Sequence, residues 1–463
     1  MTVTFSPAVE QLALLKARKI SPLELAEEHI RQIQRLNPSL NALVDFDAER
    51  VRVQARQPAS GKLAGLPLTI KSSIATKGYR CEIGSTLHRG FVPQEDAVAV
   101  ARLRAAGATV LGTTNCPEFL MAYETDNQLH GRTSNPWNLG YSAGGSSGGE
   151  AAAIAAGLSA CGIGSDSGGS VRQPAHACGI ASLKPTPGRV PGRGHLPSNL
   201  GPFAVLGAIG PMGRTIADVA LLFEVLSGDD PADPISAPVT YKPVSKEDAK
   251  QISIGWLEDD GHIPVTEETR QAVRDAVAAL KKQGFTLHPF HSTVLEEARE
   301  LWWTFFMQCG AVLYAPTIQS REKELSPIFR EFLELSKTKP PLTADNLLQS
   351  WAQMNLIREK LLIEMQQYPL LLTPVCAVPA FRHGERQWKI DGQIVHYLDA
   401  MRYTQWFNLL GAPAAVVPVG HSAEGLPIGV QIAGRPYHDE EVLTVAACLE
   451  RDFGYSIPLF AMR

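Results

Sequence analysis

The chain is short of the features that mark several whole classes of protein. It has no block of one charge: 43 basic and 47 acidic side chains are interspersed over 463 residues, for a net charge of −4. That balance attracts neither nucleic acid nor an anionic membrane surface, so the expected partner is a small molecule. No apolar run is long enough to span a bilayer. The longest, residues 151–163, is too short and too rich in Ala and Gly. Residues 1–12 include Glu10 and lack a basic segment followed by an apolar one, so they do not read as a secretory signal. The seven cysteines are scattered, with no C-x-x-C spacing, which argues against a metal knuckle or a redox pair. No metal or other cofactor is expected. An odd, dispersed set of cysteines points to a reducing compartment, and the cytoplasm is the expected location. There is no internal repeat and no low-complexity tract.

What is present is the texture of a large α/β enzyme. Residues 1–60 read as helical, with a second helix opening at Ser21-Pro22-Leu23-Glu24, where a capping serine, a first-turn proline and a glutamate at the third position coincide. Asn37-Pro38 is expected to stop it. From Leu63 onward, short apolar runs such as Leu66–Ile70 and Thr109–Leu111 alternate with helical patterns such as Ala97–Ala106. This alternation predicts a large mixed, mostly parallel central sheet covered by helices on both faces. Residues 228–246 read as a surface connection. A further α/β unit follows, with Thr266 capping a helix, and then a mainly helical stretch over 295–368. Strands return at Leu370–Val375, Ala414–Val419 and Leu426–Ile432. The whole of 1–463 reads as a single domain: a helical region 1–60, a core 62–215, a divergent segment 235–365 and a closing part 366–463.

Two glycine-flanked segments carry the chemistry. Gly144-Gly145-Ser146-Ser147-Gly148-Gly149 is followed by Gly164-Ser165-Asp166-Ser167-Gly168-Gly169-Ser170-Val171-Arg172. Taken singly, the first suits a linker or turn and the second a phosphate loop, since glycines let backbone N–H groups approach an anion. Neither fits the P-loop or dinucleotide patterns, and no G-x-S-x-G elbow is present. The arrangement says more than the composition. Ser146 and Ser170 stand 24 residues apart around a small-residue helix and a strand, and Lys71 ends the upstream run Leu66–Ile70.

With the longer run through Pro174, Ala175, Cys178-Gly179 and Leu183-Lys184-Pro185-Thr186, this constellation resembles the amidase-signature family. The resemblance is continuous over about 62–215, resumes at 371–374 and 408–434, and is loose over 235–365. It implies that Ser170 is the acyl-accepting nucleophile, that Ser146, held by a cis peptide, shuttles the proton, and that Lys71 is the general base. A serine hydroxyl needs an adjacent base, and lysine serves only when burial lowers its pKa. Backbone N–H groups of Ser167, Gly168, Gly169 and Ser170 are expected to form the oxyanion hole. Asp166 and Arg172 are expected to brace the loop as a charged pair, with Ser147 and Ser165 in the same hydrogen-bond network. His176 is expected to be packed or exposed, not catalytic.

Two positions depart from the family pattern: Ser72, where Asp often follows the lysine, and Tyr141-Ser142-Ala143, where a proline is usual. Glu150 and the Cys178-Gly179 context resemble the fatty-acid amide hydrolase branch more than the glutamine-hydrolysing amidotransferase branch. By that resemblance Glu118–Tyr123 should line the site, with Leu120, Met121 and Ala122 as substrate-binding residues. The Trp302–Phe306 cluster reads either as an apolar acyl pocket or as a core-facing helix stripe. Three functions remain open: hydrolysis of a small, apolar amide or ester; glutamine hydrolysis as the A subunit of a tRNA-dependent amidotransferase; and non-catalytic binding on the same fold. Whether the chain forms a homodimer is not legible.

Overall fold

The computed structural model describes residues 3–462. One sheet of 11 strands crosses it, in the order Leu43–Phe46, Thr109–Thr114, Pro67–Lys71, Cys161–Asp166, Ala208–Gly213, Ala181–Lys184, Ala414–His421, Pro427–Gly434, Leu370–Pro374, Ile254–Trp256 and Leu287–Pro289. The sheet is large and mixed, as expected, but it is not mostly parallel. Of its ten neighbouring pairs four are parallel and six antiparallel. A strand buried on both faces reads as an apolar run whichever way its neighbour points, so the texture carries no direction. The connections set direction instead. A crossover through the helix Val98–Ala105 makes Pro67–Lys71 and Thr109–Thr114 parallel. The tight reversal at Ser422–Gly425 makes Ala414–His421 and Pro427–Gly434 antiparallel.

Strand alternation feeds two apolar layers. Leu370 and Leu372 pack into one and Leu371 into the other; Ala415 and Val417 likewise oppose Val416. Helices Val98–Ala105, Ile216–Leu226, Glu267–Lys282 and Asp439–Phe453 cover the first layer; Pro22–Leu40, Gly148–Ala155, Leu295–Trp303, Ala344–Glu364 and Arg402–Leu410 cover the second. Helices therefore lie on both faces. Leu68 and Ile70 pack into the first layer, so the same alternation turns Thr69 and Lys71 toward the second. There the helix Gly148–Ala155 is buried along its whole length. Its glycines are what let it sit so close: a Cβ on Gly149 would come within 2.7 Å of the Asn115 backbone and the Ala42 carbonyl.

The Ser21 cap forms as its sequence predicts, with Ser21 Oγ accepting from the Glu24 N–H at 3.2 Å and Glu24 accepting from the Ser21 N–H at 2.8 Å. That helix does not stop at Asn37-Pro38 but runs to Leu40. In a last turn Pro38 removes a single N–H bond, and Asn41, at φ 52°, closes the helix left-handed. Thr266 does stand at the start of Glu267–Lys282, yet its hydroxyl pairs with that of Thr269 at 2.9 Å instead of capping a backbone N–H. Residues 227–245 carry neither helix nor strand. Among the described residues no helix is long and apolar enough to cross a membrane.

Candidate active site

Lys71 is the last residue of its strand and is fully buried. Its Nζ lies 2.7 Å from Ser146 Oγ and 3.2 Å from Ser165 Oγ. Burial lowers its pKa from 10.5 to about 8, against the opposing pull of Cys116, Asp166 and Glu150. Glu150, beneath it on the small-residue helix, is hydrogen-bonded by the hydroxyls of Thr69 and Thr114. Burial raises that carboxyl to about 8. Glu150 is therefore largely protonated at neutral pH and does not pin Lys71 as an ammonium.

Ser146 sits in a loop clamped from several sides. The Gly145–Ser146 peptide is cis, and Gly144 has φ +79°. A Cβ on Gly145 would fall within 2.8 Å of the backbone of residues 122–124, so only glycine fits. The Gly145 N–H donates to Gln173 Oε1 at 2.9 Å, and the Gly148 N–H to Thr125 Oγ1 at 3.1 Å. Ser142, at one of the departures from the family pattern, accepts the Gly144 N–H at 3.0 Å. Ser72, at the other, shares a contact with Cys116 Sγ at 3.3 Å. The Ser147 N–H donates to the Ser170 carbonyl at 3.1 Å and ties the two serine loops together.

The second loop is held by a buried ion pair. Asp166 accepts from Arg172 Nε and Nη2 at 3.0 Å each, from Asn408 Nδ2 at 3.0 Å, and from the N–H groups of Gly169 at 2.7 Å and Val171 at 3.2 Å. Burial alone would raise the Asp166 carboxyl, but the Arg172 guanidinium overrides it and holds the group well below the usual carboxylate range. The Gly169 N–H is thus already engaged. The N–H groups of Ser167, Gly168 and Ser170 meet no acceptor among the described residues.

Ser170 stands where two clefts meet. One is lined by Ser146, Ser165, Ser167, His195 and Asn199 together with Phe203 and with Leu120, Met121 and Phe306, which line the second cleft as well. The other encloses about 500 Å³, part of it open to solvent, between Leu120, Met121, Ala122, Trp302, Phe306 and Phe332. At its edge Arg386 and Glu331 pair with each other at 3.2 Å, and Arg386 also reaches Glu124 at 3.0 Å. Among the described residues no cluster of His, Cys, Asp and Glu could hold a metal ion.

The amidase family model matches residues 24–443. The chain belongs to the amidase family. Its relatives include an acylamidase of Rhodococcus erythropolis, 34% identical over 96% of this chain and 94% of that protein. An indoleacetamide hydrolase of Bradyrhizobium diazoefficiens is 32% identical, over 96% and 86%. The A subunit of the glutamyl-tRNA(Gln) amidotransferase from Roseiflexus castenholzii is 34% identical, over 97% and 96%. Among solved structures, a 6-aminohexanoate cyclic dimer hydrolase complexed with substrate superposes with a TM-score of 0.88 at 29% identity, over 99% of this chain and all of that one. By family the chain is a hydrolase of carbon–nitrogen bonds in amides.

In this amidase several residues singled out from sequence converge: Lys71 contacts Ser146 and Ser165, Ser170 lines the same cleft as those two serines, and Asp166 and Arg172 brace the loop that carries Ser170. Leu120, Met121 and Ala122 line the apolar cleft. Glu118 does not; it is buried against Ser85 Oγ and the Ser326 N–H, 2.6 Å from each. His176 is packed, its ring nitrogens on Gly429 and Val378. The Trp302–Phe306 stretch divides between the two readings. Trp302 and Phe306 stack at 4.7 Å and line the cleft, whereas Phe305 packs on Trp351 in the interior. Sequence reasoning misses Gln173, Thr125, Thr404 and Asn408, which hold the loops. Gln173 and Asn408 lie inside or beside matched motifs, but nothing in the sequence signals Thr404.

Proposed function

We propose that this amidase hydrolyses a small carboxylic amide with an apolar acyl group, through an acyl-Ser170 intermediate and a Ser170–Ser146–Lys71 proton relay. The observation that carries the reading is the 2.7 Å contact between Lys71 Nζ and Ser146 Oγ in a buried setting. With a pKa near 8, about one Lys71 in ten is a neutral amine at pH 7. Neutral Lys71 takes the Ser146 proton while Ser146 takes that of Ser170, whose Oγ attacks the carbonyl carbon. The resulting oxyanion is met by backbone N–H groups of the 167–170 loop; Gly168 and Ser170 are better suited than Gly169, whose N–H Asp166 already holds. Ser146 then protonates the departing nitrogen with the proton Lys71 returns, and water enters by the reverse relay.

The position of Ser146 orients the substrate. It lines the cleft that carries the serine hydroxyls, so the leaving amine belongs on that side, and the acyl group belongs against Ala122, Trp302 and Phe332, which line the apolar cleft and not the other. This favours an apolar acyl group over glutamine, because the Arg386 guanidinium is already paired with both Glu331 and Glu124. The similarity to a glutamyl-tRNA(Gln) amidotransferase component keeps glutamine hydrolysis as the second reading. Seven free, buried cysteines suit a reducing compartment, and we place the enzyme in the cytoplasm. A mass-spectrometric panel of aliphatic and aryl amides, matching esters and glutamine separates these readings, with Ser170→Ala as control. Turnover of apolar amides is expected; release of glutamate from glutamine as the dominant activity would reverse the substrate assignment.

A further inference from the structure

We propose that Trp302 aims the oxyanion hole, by holding the Ser167–Gly168 peptide plane through its carbonyl oxygen. The inference rests on Ser170 being the nucleophile. In a trans peptide the C=O and the following N–H point in opposite directions, so a group that grips the carbonyl also directs the N–H. Trp302 Nε1 donates to Ser167 O at 2.9 Å, which turns the Gly168 N–H away from the indole. The next plane is gripped at both ends. Gly168 O accepts from Tyr123 OH and Thr404 Oγ1 at 2.6 Å each, and the Gly169 N–H is spent on Asp166. The 168–169 plane is thereby locked with its donor occupied. The 167–168 plane keeps its donor free, and among the described residues its carbonyl is held by Trp302.

The indole is itself immobilised. It is 1% exposed, stacks on Phe306 with 13° between the rings, and approaches Gly168 so closely that a Cβ there would lie 2.6 Å from Cζ2. An apolar wall alone would need no N–H. Tryptophan places that N–H on the loop next to the nucleophile while its ring still lines the acyl cleft, so one residue of the divergent segment serves both surfaces. Trp302 is thus a positioning residue: it touches the reacting oxygen only through Gly168.

Two substitutions separate the N–H from the ring. Trp302→Phe removes the donor and keeps an aromatic wall. Incorporating 3-benzothienylalanine at 302 keeps the fused ring and its stack but has no N–H, which guards against poor folding of the first variant. For an apolar amide, kcat should fall about 10- to 100-fold, short of the roughly 10²–10³-fold for outright loss of a donor. KM should stay within about two-fold, because only the transition state carries the oxyanion. The inhibition constant of a matching trifluoromethyl ketone, which forms a tetrahedral oxyanion on Ser170, should rise by the same factor as kcat/KM falls. A kcat within about two-fold of the parent in both variants, or a raised KM with unchanged ketone affinity, would make Trp302 a wall and nothing more. Fluorophosphonate labelling of the parent protein is the reference. Failure to label Ser170 sinks the nucleophile assignment and this inference with it, whereas normal labelling with unchanged kcat sinks this inference alone.

Discussion

Replacing Lys71 with methionine should abolish hydrolysis and at the same time make the protein more stable at neutral pH. The native state buries the Lys71 amine completely and depresses its pKa from 10.5 to about 8. At about 1.4 kcal/mol per decade, that depression means the folded protein disfavours the ammonium by about 3 kcal/mol. The sign follows from proton counting. Between pH 8 and 10.5 the unfolded chain holds this proton more often than the folded one, so this group's contribution to stability rises with pH across that window and is flat below it. Methionine fills a similar volume and carries no charge. Lys71→Met should therefore gain up to about 3 kcal/mol at pH 7, less the bonds that Ser146 and Ser165 lose. The advantage should shrink toward zero by pH 10.5. Urea unfolding of both proteins from pH 7 to 10 measures the difference, in which other titrating groups largely cancel. A variant less stable than the parent at pH 7, by an amount independent of pH, would refute the claim that Lys71 is held under desolvation strain.

Because the amine must be neutral to act, kcat/KM should rise about tenfold per pH unit below pH 8 and level off above it, which a pH–rate profile reads directly. Glu150→Gln keeps the shape of the buried acid and removes the charge it acquires above its own pKa of about 8. It should leave activity largely intact and shift the profile toward lower pH, and a shift the other way would contradict the assigned direction. Arg172→Met strands the Asp166 carboxylate in the interior; denaturant unfolding should report a loss of about 3–5 kcal/mol.

The motifs of the candidate site were more legible in the sequence than the direction of the strands that carry them. Lys71, Ser146 and Ser170 are set in short motifs whose glycines and small residues have local reasons to be there: Gly145 meets backbone, and the helix Gly148–Ala155 meets strands. Such constraints leave a mark at the position itself. Strand direction leaves none, because Val416 or Leu372 is equally apolar beside a parallel or an antiparallel neighbour. The same holds for contacts made from far along the chain. Nothing near Thr404 or Trp302 announces that it closes on Gly168 or Ser167, since a threonine or tryptophan on a helix is as well suited to packing. Pro38 and Thr266 show the limits of local rules, one tolerated in a final turn and the other diverted to a neighbouring hydroxyl.

The most direct test of the central claim is to trap the enzyme during turnover of a hydrolysed amide or ester and locate the covalent adduct by peptide mass spectrometry. An acyl group on Ser170, absent from Ser170→Ala and formed far more slowly in Lys71→Ala, is the predicted result. An adduct on another residue, or undiminished turnover by Ser170→Ala, would contradict it.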